Sequence, residues 1–164
     1  MWWILACSQA RSPGDTGPDA GVDTSVPPPD RIVFNEVVTQ NDTVLSDEHG
    51  DFDDYIELAN PSGTELDLTG WGLSDGGPVW YFPEGLTVRQ GGLLLVWCDK
   101  SVDQGLLHTS FKLSSGGEEI SIVNPEAEDI ELLAVPSLGP DRAYALMADG
   151  SWAETDPSPG EPNP

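Results

Sequence analysis

Short apolar runs, rich in β-branched and aromatic residues, alternate with clusters of turn residues along most of the chain. Runs of this length and composition are typical of β-strands, and no segment sustains the 3.6-residue period of a helix. Eight or nine short strands at this spacing predict an all-β fold, a β-sandwich. The predicted strands are residues 32–38, 54–59, 66–74, 79–82, 93–98, 109–113, 118–123, 129–135 and 143–147.

Turn residues separate the predicted strands, and Asp149-Gly150 is the strongest hairpin signal because both residues tolerate the positive φ of a tight turn. In the second predicted strand, apolar residues alternate with Glu57, which predicts one buried face and one wetter face. The end of the chain, residues 156–164, is rich in proline and predicts an extended strap.

The N-terminal region differs in composition from the predicted β-domain at residues 31–164. Residues 1–7 are apolar and end at Cys7, whereas residues 8–30 are rich in Pro, Gly, Asp and Ser. This composition predicts a disordered tether. Residues 4–7 resemble a bacterial lipobox, in which the cysteine is lipidated. We therefore expect an exported lipoprotein at the bacterial outer membrane or cell surface, in contact with the membrane only through the lipid on Cys7.

The export pattern departs from the usual one in its length. Only six residues precede Cys7 and none of them is Lys or Arg, whereas the apolar core of an export signal normally has about 7–15 residues. Either the true start lies upstream of Met1, or the apolar N-terminus is a chance feature of a soluble protein. No other segment approaches the roughly 18–20 apolar residues of a transmembrane helix.

The chain is strongly acidic, since 6 Lys and Arg residues against 29 Asp and Glu residues give a net charge of −23. Nucleic acids and anionic membrane surfaces repel such a surface and are excluded as partners. Cations and basic proteins are favoured, although the charge can equally serve only to keep an exported protein soluble. Cys7 and Cys98 indicate no disulfide framework, and Cys98, at the end of an apolar run, is expected to be buried.

Nine short motifs follow one another in a fixed order along the β-domain. They are FNEV (34–37), DYIELAN (54–60), DLTGWGLSD (67–75), WYFP (80–83), GGLLLVW (91–97), FKLSSGGE (111–118), DR (141–142), DGSW (149–152) and PGEPN (159–163). Together they resemble the lamin-tail domain in its bacterial form, from about residue 31 to residue 163. The resemblance implies an immunoglobulin-like β-sandwich of a class that is usually exported, alone or appended to secreted enzymes, and that binds or anchors.

The resemblance and the sequence pattern together predict which side chains form the core. The expected core residues are Tyr55, Ile56, Leu58, Leu68, Trp71, Leu73, Phe111 and Leu113. Trp71, between Gly70 and Gly72, is expected to be a large core-filling side chain. The sequence has no coiled-coil rod, basic nuclear-targeting run or prenylation box, so the filament function of eukaryotic lamins does not transfer.

The segment 47–54 carries five carboxylates in eight residues. Calcium takes six to eight oxygen ligands, and flexible carboxylate loops can supply them. The loop is therefore a candidate calcium site, with Asp51, Asp53 and Asp54 as the favoured ligands and Asp47 next. Its spacing differs from that of an EF-hand. The alternative is a solvated loop that its like charges keep open.

Histidines and serines offer weaker candidates. A zinc site at His49 or His108 would need a third strong ligand, and Cys98 is the only candidate, so zinc is disfavoured. His108 is instead expected to be a surface residue at the entry to a strand. There is no Gly-x-Ser-x-Gly elbow, and an open cleft is not expected on so small a sandwich, so no enzyme activity is predicted.

These patterns predict a non-catalytic binding or scaffolding module on the cell envelope, with an envelope protein or a glycan as its partner. One alternative is a calcium-stabilised adhesion or glycan-binding module, and another is an accessory domain that partners a secreted hydrolase. Aromatic stacking on sugars is conceivable at residues 80–82, but strand alternation predicts that Trp80 and Phe82 fill the core and that Tyr81 points the other way.

Overall fold

The structure, a computed structural model, describes residues 30–164, and these form eleven β-strands and no helix. The strands are β1 (Val33–Val38), β2 (Tyr55–Ala59), β3 (Leu66–Asp67), β4 (Gly72–Ser74), β5 (Trp80–Tyr81), β6 (Thr87–Val88), β7 (Leu93–Trp97), β8 (Glu118–Val123), β9 (Asp129–Val135), β10 (Ala143–Leu146) and β11 (Trp152–Thr155). Across these described residues, no helix is long and apolar enough to cross a membrane. The predicted lipidation site, Cys7, and the predicted tether up to residue 29 lie outside them.

Two main antiparallel sheets share one core. A five-stranded sheet has the order β11-β10-β1-β2-β7, a four-stranded sheet has the order β5-β4-β8-β9, and β3 and β6 form a separate pair. Buried side chains of both main sheets, such as Phe34 and Ile56 on one and Leu73 and Ile122 on the other, belong to a single apolar cluster. The predicted fold class, an immunoglobulin-like β-sandwich, is confirmed.

The predicted core residues are buried, with one exception. Seven of them are each at most 8% exposed: Tyr55, Ile56, Leu58, Leu68, Leu73, Phe111 and Leu113. All of these except Tyr55 belong to the main core. Tyr55 packs in a second cluster with Val38 and Trp97, because successive side chains of a strand point to opposite faces of the sheet.

Trp71 is the exception, because it is half-buried and packs against the main core from its edge. The buried position belongs to its neighbour Gly72. A Cβ atom on Gly72 would lie 2.5 Å from the carbonyl oxygen of Trp80. The backbones of β4 and β5 therefore approach each other too closely for a side chain, and the expectation that Trp71 fills the core is not met.

Two strand predictions need correction, and two strands were missed. The predicted strand 66–74 is divided into β3 and β4, which lie in different sheets. Asp67 Oδ1 accepts hydrogen bonds from the Thr69 N–H (2.9 Å) and hydroxyl (2.6 Å), and this turn ends β3. Residues 109–113 form no strand; they contain one isolated bridge, at Lys112, and a second bridge lies just before them at His108. Strands β6 and β11 were not predicted, although the Asp149-Gly150 hairpin between β10 and β11 is confirmed.

The predicted C-terminal strap (residues 156–164) closes the outer face of the five-stranded sheet. The Gly160 N–H donates a 2.6 Å hydrogen bond to Glu57 Oε2, and the Ser158 N–H donates a 2.9 Å bond to Glu36 Oε2. Asn163 Nδ2 donates to the Leu146 carbonyl oxygen at 2.9 Å. Glu57 is consequently only 1% exposed. The prediction of a wetter face was therefore wrong.

Glu36 and Glu57 are directly opposite each other on β1 and β2, and both are buried. The Tyr55 hydroxyl donates a 2.7 Å hydrogen bond to Glu36, and Asn35 Nδ2 donates one of the same length to Glu57. Burial raises the pKa of Glu57, as does the charge of Glu36, while the bonds from Gly160 and Asn35 oppose the rise. Every carboxylate oxygen of the pair therefore has a donor.

Candidate metal centre

Two loops meet at one end of the sandwich. The acidic loop (residues 39–54) joins β1 to β2, and the second loop (residues 99–110) follows β7. His49 Nε2 is 2.9 Å from the Gln104 carbonyl oxygen, and Gln104 Nε2 is 3.4 Å from Asp51 Oδ2. Two backbone hydrogen bonds hold the second loop against β7: the Trp97 N–H donates to the Leu107 carbonyl oxygen, and the Thr109 N–H donates to the Trp97 carbonyl oxygen, each at 2.8 Å. We call these two loops the loop pair.

The acidic loop is folded by its own polar groups. Asn41 Nδ2 donates to the carbonyl oxygens of Leu45 (2.6 Å) and Asp53 (2.8 Å), while Asn41 Oδ1 accepts from the Val44 N–H at 3.0 Å. Further along the loop, Asp47 Oδ1 accepts from the N–H groups of His49 and Asp51, at 2.8 and 2.9 Å. Such side chain–backbone bonds define a closed loop, in contrast to the open loop considered as an alternative.

Three of the four predicted calcium ligands lie together. Asp47, Asp51 and Asp53 each place one carboxylate oxygen within 4.8 Å of the others. Asp54 lies outside this group, and its Oδ1 accepts a 3.3 Å hydrogen bond from the Asn41 N–H. The three grouped carboxylates offer the hard oxygen ligands that calcium prefers.

The carboxylates of the acidic loop differ in their electrostatic environments. Burial raises the pKa of Asp53, and the nearby charge of Asp99 adds to the rise. Burial also raises the pKa of Asp54, to about 6. At Asp47, burial acts in the same direction, but hydrogen bonds from the N–H groups of Asp51 and His49 lower its pKa overall. The backbone hydrogen bonds thus favour the anionic form of Asp47, whereas burial disfavours that of Asp53.

His108 lies beside this group and is buried, with 1% of its surface exposed, so the prediction of a surface histidine was wrong. Its Nδ1 is 2.7 Å from Oδ2 of the buried Asp99, and its Nε2 is 3.3 Å from Glu48 Oε1. Burial lowers the pKa of His108, but the hydrogen bond and charge of Asp99 outweigh it and raise that pKa overall, with help from Glu48. One ligand-type atom from each of Asp47, Glu48 and His108 lies within 4.8 Å of the others.

Family membership rests on a match of the lamin tail domain model to residues 25–136. These are 112 residues (136 − 25 + 1), more than half of the 164 in the chain. The chain belongs to the lamin tail domain family. None of the curated proteins compared with this lamin tail domain matches it. The match includes the loop pair and ends just after β9, whereas β10 and β11 of the five-stranded sheet lie beyond it.

Other predicted features of this lamin tail domain lie where strand alternation places them. Phe82 is buried and its ring packs edge-on against Trp80 at 5.1 Å, whereas Tyr81 is 51% exposed. Only Tyr81 of this segment therefore presents a well-exposed face.

Cys98 is a buried thiol, as expected, and burial raises its pKa well above the ordinary value. A groove of about 290 Å³ opens beside Leu106 of the second loop.

Proposed function

We propose that this lamin tail domain is a non-catalytic binding or scaffolding module, displayed on the bacterial cell envelope through a lipid on Cys7. The lamin tail family is a non-enzymatic, immunoglobulin-like domain family, which supports a non-catalytic role. The lipobox-like residues 4–7 and the Pro-, Gly- and Asp-rich residues 8–30 support tethered display. Binding itself is best supported by the surface of the loop pair.

The loop pair exposes large apolar side chains within an acidic surround. Leu106 is 77% exposed, Val102 55% and Phe52 48%. Asp51 and Asp103, on the same two loops, are exposed as well. Apolar anchors within a polar rim are characteristic of protein interfaces, and immunoglobulin-like domains commonly bind through loops at one end of the sandwich. A net charge of −23 favours a basic envelope protein as the partner.

Photo-crosslinking in the producing cells tests this surface. A crosslinking amino acid at Leu106 is expected to give a discrete adduct, identifiable by mass spectrometry as a basic envelope protein. The matched control places the same amino acid at Leu132, which lies on β9 of the other sheet and is 59% exposed. Equal adducts from both positions, or none from Leu106, would refute the loop pair as the binding surface. Adduct yield should also fall at high salt, because screening weakens the attraction between the partners.

Metabolic labelling with a palmitate analogue tests the proposed lipid anchor on Cys7. The full-length protein should become labelled, and Cys7→Ser should abolish the label. Cys98→Ser is the matched control, because it removes the other cysteine of the chain and leaves Cys7 in place. An unlabelled wild-type protein, or equal labelling of Cys7→Ser, would show that Cys7 is not the anchor.

Calcium stabilisation is a second candidate property, favoured by the grouping of Asp47, Asp51 and Asp53. Calcium at about ten times its dissociation constant would stabilise the domain by about 1.4 kcal/mol. The melting temperature should then rise by a few degrees in millimolar calcium, and EDTA should reverse the rise. The double variant Asp51→Asn/Asp53→Asn should lose the shift, whereas Asp54→Asn should keep it. No shift in the wild type across the titration would exclude this candidate.

A further inference from the structure

His108 carries a ring nitrogen that the surrounding protein leaves without a partner. The side chain is 1% exposed, and its Nε2 makes no hydrogen bond with any described residue. Glu48 Oε1 lies 3.3 Å from this nitrogen, but without hydrogen-bond geometry. A buried polar atom without a partner destabilises the folded state, and such atoms in folded proteins call for a specific explanation.

A second unpartnered atom belongs to the same group. Asp47 is 8% exposed, and its Oδ1 accepts two backbone hydrogen bonds, whereas its Oδ2 is buried and accepts none from the described residues. Asp47, Glu48 and His108 thus place one nitrogen and two carboxylate oxygens within 4.8 Å of one another. Two of the three residues, Asp47 and His108, have a buried atom without a partner among the described residues. A bound cation would satisfy both unpartnered atoms.

Asp99 fixes the orientation of the His108 ring. It is 3% exposed and accepts the His108 Nδ1–H at 2.7 Å, while its other oxygen accepts the Ser101 N–H at 2.8 Å. In the neutral imidazole, an Nδ1–H donor leaves the lone pair on Nε2, the atom that faces Glu48. Metal binding at Nε2 therefore displaces the proton that this nitrogen carries in the imidazolium. A carboxylate behind a histidine is the usual second shell of a protein metal site, because it sets the tautomer and strengthens the ligand.

The spacing of the ligands fits an ion of the zinc class, and the type of ligand favours that class. Two ligands about 2.05 Å from a tetrahedral zinc ion are about 3.3 Å apart, and the distance from His108 Nε2 to Glu48 Oε1 is 3.3 Å. Gly105 lets its loop approach both ligands closely, since a Cβ there would lie 2.6 Å from Glu48 Oε1 and 2.9 Å from His108 Cδ2. An imidazole ligand selects zinc-like transition metals over calcium and magnesium, which prefer oxygen alone.

We propose that His108, Glu48 and Asp47 bind a divalent transition-metal ion of the zinc class, with water completing the coordination. The site shares Asp47 with the carboxylate group of Asp51 and Asp53, but its nitrogen ligand gives it a different ion preference. The ion joins the acidic loop to the second loop and thereby holds together the two halves of the loop pair. This assignment does not depend on the proposed partner or on lipidation.

Equilibrium dialysis of the full, untagged chain against Zn²⁺, with calcium and magnesium in hundredfold excess, tests the site. One zinc ion per chain is expected. Glu48→Gln, at a largely exposed carboxylate, should weaken binding by more than about tenfold, and Asp99→Asn by roughly tenfold. Glu126→Gln is the matched control, because Glu126 is also exposed and the same charge is removed. It should bind zinc like the wild type.

Two further measurements keep the test decisive. Cobalt bound in place of zinc should give the intense visible absorption of a tetrahedral ion, and His108→Asn, which retains a donor toward Asp99, should lose it. Asp51→Asn/Asp53→Asn should keep zinc binding, which separates this site from the calcium candidate. Failure to retain stoichiometric zinc, equal affinities of Glu48→Gln and Glu126→Gln, or displacement of zinc by equimolar calcium would each overturn the proposal.

Discussion

The buried Glu57 contributes to the pH dependence of the domain's stability in an unusual direction. Most carboxylates in folded proteins have lowered pKa values, so that folding is favoured as pH rises. The pKa of Glu57 is raised, first by burial and also by the charge of Glu36 directly opposite. The folded state therefore holds the proton of Glu57 more tightly than the unfolded chain, and this contribution to stability is lost as pH rises through the folded-state pKa.

The expected size follows from proton linkage. Where the folded and unfolded states differ by one bound proton, the free energy of unfolding changes by about 1.4 kcal/mol per pH unit. This change occurs over a pH range that begins just above the ordinary glutamate pKa of 4.5 and ends at the raised pKa of Glu57. Glu57→Gln removes this titration. The substitution also replaces one carboxylate oxygen, which accepts a hydrogen bond from Gly160 or Asn35, by an amide NH₂ group that can only donate. The lost hydrogen bond lowers the free energy of unfolding of the variant at low pH.

Urea unfolding of the wild type and of Glu57→Gln, from pH 4.5 to pH 7.5, measures the effect. The variant should be less stable than the wild type at the acid end and should gain on it as pH rises, by up to about 1.4 kcal/mol per unit. Glu161→Gln, an exposed acid of the same strap, should show no such gain. A stability difference that does not change with pH, or one that grows in favour of the wild type, would refute the assignment.

Three further predictions concern packing and loop structure. Asn163→Ala should lower the free energy of unfolding by about 1–3 kcal/mol in urea titrations, since its amide supports the strap and β10; a change below about 0.3 kcal/mol would contradict this role. Gly72→Ala should lower the free energy of unfolding by about 1–3 kcal/mol, because the new Cβ would contact the Trp80 carbonyl oxygen. Gly63→Ala is the control and should leave the stability unchanged, since a Cβ there meets no atom within 4 Å. Equal effects of the two substitutions would refute the close approach at Gly72. Asn41→Ala should accelerate amide exchange throughout the acidic loop, and unchanged exchange would show that Asn41 does not organise it.

Strand positions were well predicted where side chains carry a clear pattern, and poorly where the backbone decides. The run that forms β8 reads as a strand because of its β-branched residues. In contrast, β6 has only two residues, too few for any period to emerge. The burial of Glu57 was wrongly predicted for another reason, because local alternation cannot reveal that Gly160, 103 residues away, covers its side chain.

The candidate site was predicted only in its local part. A run of carboxylates in one loop is visible in the sequence, and three of the four predicted ligands do lie together. His108 gave no local signal, because its significance comes from Asp99, nine residues away, and from Glu48 on another loop. Contacts between loops depend on how the strands below them pair, and a single sequence does not encode that pairing in a readable form.

The C-terminal strap also sets the order in which the domain completes its folding. Strand β1 pairs with β2 nearby, but its other neighbour is β10, and its Glu36 receives bonds from Ser158, 122 residues along the chain. The first strand of the described residues is therefore completed by the strap that follows β11. Closing so long a loop is slow. The domain therefore completes its native fold only after residues 156–164 have left the ribosome and can reach β1.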